Sequence, residues 1–195
     1  ALYDQIMAGE VGPASSAAAA AAPAAVPAPF QAPATSGHFV GRDEERARLI
    51  AWLTQPQSGG ITAVVGMGGA GKTALAVELA HQLRPKFPDG VLWANAGEDE
   101  PLDILQSWAL AYDKDLSKIG SAEARAAAMR NILAGRRALV ILDSAVAGRD
   151  IDLLLPGAAN CPVLITTRDL AEVAARTTQI VELPELSMGD SLDLL

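Results

Sequence analysis

The stretch Ile61 to Leu79, ITAVVGMGGAGKTALAVEL, constrains this chain more than any other. An apolar run rich in β-formers leads into a glycine-rich loop. The loop leads into Ala74 to Ala80, whose propensities and apolar spacing predict a helix. The loop itself, Gly66-Met67-Gly68-Gly69-Ala70-Gly71-Lys72-Thr73, satisfies G-x-x-x-x-G-K-[ST], the phosphate-binding P-loop. Glycines at 66, 68, 69 and 71 permit positive φ and close backbone approach, so successive N–H groups can curl around phosphate oxygens. The helix opening near Gly71 adds the positive end of its dipole and its unpaired N–H groups. In such a loop Lys72 reaches the β- and γ-phosphates and the Thr73 hydroxyl ligates Mg²⁺. The nucleotide-binding stretch therefore runs from Gly66 to Ala74.

With 195 residues, half of them hydrophobic, the chain can bury the core of one domain plus flanking segments. A net charge of −8 argues against this segment gripping nucleic acid or an anionic membrane, since both need clustered Lys and Arg. Any DNA contact must come from domains outside it. Cys161 is the single cysteine, so no internal disulfide forms, and a reducing cytoplasm fits best. No long apolar span and no basic start followed by an apolar region is present, so neither membrane insertion nor secretion is encoded. His38 and His81 are too isolated for a metal site and read as structural.

Along the chain, residues 1–10 have Leu2, Ile6 and Met7 at helical spacing and read as the last turns of a preceding helical domain. Residues 11–37 shift to alanine and proline, a composition that cannot bury enough surface to order itself, and read as an interdomain linker. A local alanine helix near Ser15 to Ala22 would be marginal in isolation. Residues 38–186 read as the nucleotide-binding domain. An amphipathic helix follows Asp43, with Ala47, Leu49, Ile50 and Leu53 as its buried stripe. Val91 to Ala94 reads as a second strand, Pro101 to about Tyr112 and Ser121 to Ala134 as helices, with Gly135 as the stop of the latter. Two further apolar runs, Ala138 to Asp143 and Val163 to Arg168, and a short strand from Gln179 to Leu183 complete an alternation of strands and helices. Buried, non-alternating strands in that order imply a three-layer α/β/α domain around a mostly parallel five-stranded sheet. Residues 187–195, opened by Ser187, read as the start of a truncated helical subdomain.

Chemistry gathers at the strand ends. Asp143 closes a run of four apolar residues, the Walker-B pattern in which the carboxylate holds Mg²⁺. Many hydrolysing P-loop ATPases place a second acid next, where this chain has Ser144. A hydroxyl orients water but is a poor base near neutral pH, so hydrolysis is expected to be slow unless another group substitutes. Asp150 and Asp152 read as loop and helix-start charges. Arg168 ends its strand beside the same edge, where a guanidinium can sense the γ-phosphate. Trp52, Trp93 and Trp108 read as core or edge packing, since no basic residues interleave them.

Together these residues resemble the NB-ARC module of the STAND class of signalling NTPases. FVGRDEE (Phe39 to Glu45) resembles its adenine-side motif, GMGGAGKT its P-loop, LVILDS (Leu139 to Ser144) its Walker B, and LITTR (Leu164 to Arg168) its first sensor. Val181 to Leu195 resembles the passage into its helical part. The resemblance implies adenine contacts from Val40 and Gly41, a nearby role for Arg42, phosphate binding through Gly66 to Lys72, Mg²⁺ at Thr73 and Asp143, and sensing by Arg168. It implies ATP or ADP as ligand, with self-association or other domains of a parent protein as partners. ALYDQIMAGE, the Ala/Pro linker and FVGR are also similar to the junction in actinobacterial SARP-type transcriptional activators. There a helical activation domain, preceded by a DNA-binding winged helix, joins an NB-ARC module. The expected function is a nucleotide-operated switch with Lys72, Asp143, Ser144 and Arg168 as its reacting set. A turnover ATPase or kinase and a vestigial interaction domain are the alternatives.

Overall fold

The strand that ends in Asp143 sets the architecture. Along β3 (Leu139–Ala145), Val140 and Leu142 enter one hydrophobic cluster, and Leu139 and Ile141 enter another. Successive Cβ atoms of a strand point to opposite faces, so a strand with apolar partners for both sets lies between two layers. The computed structural model, which describes residues 27–35, 39, 41–55, 60–146 and 150–184, has this three-layer α/β/α arrangement. Five parallel strands, β1 (Ile61–Gly66), β2 (Val91–Asn95), β3, β4 (Val163–Thr167) and β5 (Gln179–Leu183), run in the order β2-β3-β4-β1-β5. On one face pack α1 (Asp43–Leu53) and α2 (Lys72–Leu83). On the other pack α3 (Pro101–Leu110), α4 (Ala122–Leu133) and the short α5 (Leu170–Val173).

Local chemistry sets the element ends. The Ser121 hydroxyl accepts the Ala124 N–H at 3.1 Å to cap α4, and Gly135, at φ 78°, follows its end. Trp108 on α3 is fully buried and its indole N–H donates to the Trp93 carbonyl at 3.0 Å, which satisfies the one polar atom of a large core side chain. Because β4 lies between β1 and β3, the P-loop, the Thr167–Arg168 strand end and Asp143 share one carboxyl edge. Val65 and Ala145 both pair with Thr167, and Asn95 pairs with Asp143.

Two expectations are corrected. Ala47 is exposed, because it sits about 200° around the helix from Leu49, and the buried stripe of α1 is Leu49 and Leu53 with Ile50 half-buried. The expectation that residues 11–37 cannot order themselves is also corrected over residues 27–35. There the chain docks along the outer edge of β2: Val91 N–H donates to Pro29 O at 2.9 Å, Gln31 N–H donates to Val91 O at 3.0 Å, and Phe30 bridges Val91 in parallel. Phe30 meets His81 edge-on at 4.8 Å and lies under the Arg84 guanidinium at 4.7 Å, while His81 Nε2 lies 2.8 Å from Pro33 O. Average composition hid this, because one aromatic and a few backbone groups suffice once a sheet edge offers unpaired partners. The expectations for residues 1–10 and 11–26, for His38 and Val40, and for 187–195 concern positions outside the described residues.

The strap yields a prediction. Phe30→Ala removes a half-buried ring, and about 1–2 kcal/mol of stability is expected to go with it. In a domain of this size that lowers the melting temperature by roughly 2–8 °C. Thermal denaturation reads the shift and limited proteolysis reads the release of 27–35; a cleavage rate equal to wild type would show that the ring does not hold the strap.

Candidate functional site

The P-loop begins where β1 runs out of space. A Cβ on Gly66 would lie 2.6 Å from the Leu183 carbonyl, so β5 packs on bare backbone there. The loop doubles back through an Ala70 N–H to Met67 O bond of 3.3 Å, with Ala70 buried and Met67 largely exposed. Gly69 and Gly71 hold φ of 81° and 87° with open space where a side chain would stand, and Gly71 caps α2. These are left-handed positions that a glycine takes without strain. Lys72 folds back over the loop and donates to Gly66 O at 2.9 Å and Met67 O at 2.8 Å. Burial, then repulsion from Arg168, push its ammonium below the usual lysine pKa, partly offset by Asp143.

Thr73, the next residue on α2, faces the end of β3. Its hydroxyl lies 3.0 Å from each oxygen of Asp143, a carboxylate only 6% exposed. Thr166 of β4 completes the contact, donating to Asp143 Oδ1 at 2.6 Å while its oxygen accepts the Ser144 N–H at 2.8 Å. Ser144 has φ 56°, unusual for a non-glycine residue, and the β3–β4 register slips between Leu142 and Ala145. The slip keeps Asp143 buried on its hydroxyl partners and turns Ser144 outward into the open space beside Lys72.

That space is a cavity of about 500 Å³, lined from the P-loop side by Gly68, Gly69, Gly71, Lys72, Thr73 and Ala74. Ser144, Ala145, Val146, Thr167 and Arg168 line it from β3 and β4, and Gly97 and Glu98 from beyond β2. A side chain on Gly68 would begin 3.6 Å from the Arg168 guanidinium carbon, so the cation lies over the glycine loop. Gly41 and Arg42 lie elsewhere, in a left-handed turn (φ 76° and 63°) ahead of α1. The Arg42 guanidinium donates to the Pro184 carbonyl and to Glu45, and ties the start of α1 to the end of β5. Asp152 pairs with Arg176 at 2.5 Å, which holds its carboxyl below the usual range, and Asp150 precedes a single 3₁₀ turn; neither lines the cavity.

Gly97 and Glu98 carry no expectation from the sequence, and Thr166 and Thr167 appear there only within the LITTR run, with no role of their own. A faint signal existed: Thr166 and Thr167 are polar residues ending an otherwise apolar strand, and both are buried.

The donor set suits a phosphorylated ligand with a hard cation. Open left-handed glycines, a desolvated ammonium and a helix N-terminus favour phosphate. One hydroxyl and one carboxylate oxygen, already adjacent, suit Mg²⁺ that keeps phosphate and water for its other positions. Among the described residues no group of three or more His, Cys, Asp or Glu could hold a metal by itself, so such an ion would depend on the phosphates.

The sequence profile of the NB-ARC domain matches residues 42–195. The chain belongs to the NB-ARC family. Regulatory protein AfsR of Streptomyces griseus is 38% identical over 174 residues, covering 85% of this chain and 18% of that protein. AfsR of Streptomyces coelicolor is 36% identical over 179 residues with the same coverage. This NB-ARC chain thus spans under a fifth of the length of those relatives. Among solved structures, Cdc6p from Pyrobaculum aerophilum superposes with a TM-score of 0.64 at 15% identity, over 89% of this chain and 50% of that one. A signal transduction ATPase with numerous domains and a tetratricopeptide repeat sensor, from Pyrococcus horikoshii, gives 0.55 at 20% identity, over 83% of this chain and 25% of that one. At such identities these two matches speak to the fold alone. No helix among the described residues is long and apolar enough to cross a membrane.

Proposed function

We propose that this chain is the nucleotide-operated switch of a larger cytoplasmic regulator. It binds ATP or ADP with Mg²⁺, hydrolyses ATP slowly, and through its nucleotide state governs self-association or the arrangement of the parent's other domains. The observation that carries this reading is the convergence of Lys72, Thr73, Ser144 and Arg168 on one cavity, with Asp143 bonded behind Thr73. Lys72 and the loop N–H groups would bind phosphate, while Thr73 and Asp143 would hold Mg²⁺, which neutralises charge developing on the phosphate oxygens. Arg168, over the loop rather than behind it, would contact the γ-phosphate that ADP lacks. A ligand shifts a conformational equilibrium only by its differential contacts with the two states, and the γ-phosphate supplies such a difference. The kinship with AfsR-type regulatory proteins supports a transcriptional parent, in which DNA would be contacted through domains outside this acidic segment.

Calorimetric titration of the chain with ADP and with ATP plus Mg²⁺ tests the reading. Arg168→Ala is expected to weaken ATP about tenfold, the worth of one charge-assisted contact, and to leave ADP unchanged. Equal losses for both nucleotides would remove the sensing role, and failure of both to bind the wild-type chain would remove the switch.

A further inference from the structure

Among the described residues that line the Lys72 cavity, one carries a carboxylate, and it comes from neither β3 nor β4: Glu98. It sits three residues past the end of β2, in a turn where the N–H groups of Glu98 and Asp99 both donate to the Asn95 carbonyl, at 3.1 and 2.9 Å. Two features press this turn against β3. Ala96 N–H donates to the Asp143 carbonyl at 2.8 Å, and Gly97 lies so close that a Cβ there would stand 2.4 Å from Ser144 O. The backbone carrying Glu98 is therefore packed on Ser144, the position where an acid would serve hydrolysis and where this chain has only a hydroxyl.

The geometry points to Glu98 as the general base of ATP hydrolysis, supplying from β2 the carboxylate that position 144 lacks. This rests on the nucleotide-binding reading above. The attacking water's oxygen bonds to the γ-phosphorus as the bond from that phosphorus to the β,γ-bridging oxygen breaks, and the bond's electron pair leaves with ADP. The water's proton passes to the Glu98 carboxylate and from there to solvent, so ATP and water become ADP, inorganic phosphate and one proton. Ser144 then acts as a hydrogen-bonding neighbour that orients the water, a role open to a hydroxyl. Slow turnover follows from this division of labour, because the base hangs from an exposed turn rather than from the strand that carries Asp143.

Glu98→Gln keeps size and hydrogen-bonding capacity while removing the base, and Glu100→Gln controls for loss of charge on the same acidic turn. Single-turnover hydrolysis, calorimetric ATP affinity and the identity of the nucleotide still bound after incubation are to be measured, with Lys72→Met as background. Glu98→Gln is expected to slow hydrolysis about 100-fold at unchanged ATP affinity and to retain ATP where the wild type retains ADP. Glu100→Gln is expected to match wild type. Hydrolysis by Glu98→Gln at the wild-type rate overturns the assignment, as does a wild-type rate no faster than the Lys72→Met background. In both cases intact ATP binding leaves the switch standing, whereas a wild-type chain that binds neither nucleotide removes the switch and this assignment together.

Discussion

Lys72→Met is expected to weaken ATP binding by about three orders of magnitude, roughly 4 kcal/mol, while leaving the unliganded fold within about 1 kcal/mol of wild type. The two halves have one cause. Lys72 is 9% exposed, held by two backbone carbonyls and faced by Arg168, and its pKa is lowered chiefly by burial. A lysine whose folded pKa lies below the unfolded 10.5 has its charged form penalised in the fold. The penalty is fully present below the folded pKa and fades as pH rises from there to 10.5, so at neutral pH the charge costs stability. Methionine relieves that cost and gives up two hydrogen bonds, opposing effects of similar size. Nucleotide phosphates would reverse the balance, because they attract the charged form far more strongly than the neutral one. Calorimetry and thermal denaturation check both halves: a melting temperature within roughly 2–4 °C of wild type alongside absent binding is the expected pair. A large fall in melting temperature with binding retained would mean that Lys72 is a structural clamp.

The legible parts of this protein are those where a local pattern has one physical outcome. Ile61 to Thr73 was readable because strand, glycine loop and helix each follow from short-range rules, and β3 and β4 because a run without alternation must be buried on both faces. Ser121 and Gly135 marked the ends of α4 for the same reason. What escaped depends on contacts distant in sequence. Phe30 lies in an Ala/Pro tract, and only His81, Arg84 and the free edge of β2, more than fifty residues away, give it a place. Arg42 matched a motif said to lie near adenine, yet its hydrogen bonds go to Pro184 and Glu45. The chemistry of Ser144 is legible in the sequence, but its left-handed backbone is not, because nothing local shows that Thr166 accepts its N–H. Glu98 is one of three consecutive acids, Glu98, Asp99 and Glu100, and nothing local to the sequence sets it apart. Only the close approach of Gly97 to Ser144 brings it to the cavity.

Asp143→Asn is expected to abolish the Mg²⁺-dependent part of ATP affinity, a loss of about 10- to 100-fold, while the affinity measured in EDTA stays at the wild-type value. The carboxylate lies behind Thr73 rather than on the cavity wall, so its effect on nucleotide should pass through the cation. Asparagine and alanine at this site separate metal binding from folding. An asparagine oxygen can still accept the Thr166 hydroxyl, now 2.6 Å from Asp143, but its amide group turns two donors toward Thr73 and the cation. Alanine also leaves the fully buried Thr166 hydroxyl without its acceptor, and about 1–3 kcal/mol of stability is expected to go with it. Melting temperatures should therefore fall in the order wild type, Asn, Ala, whereas Mg²⁺ enhancement should be absent from both variants alike. Were Mg²⁺ to strengthen ATP binding to Asp143→Asn as it does to wild type, the cation would be held by Thr73 and phosphate alone. The buried Asp143–Thr166 pair would then serve the fold, fixing the slip in β3 that turns Ser144 into the cavity.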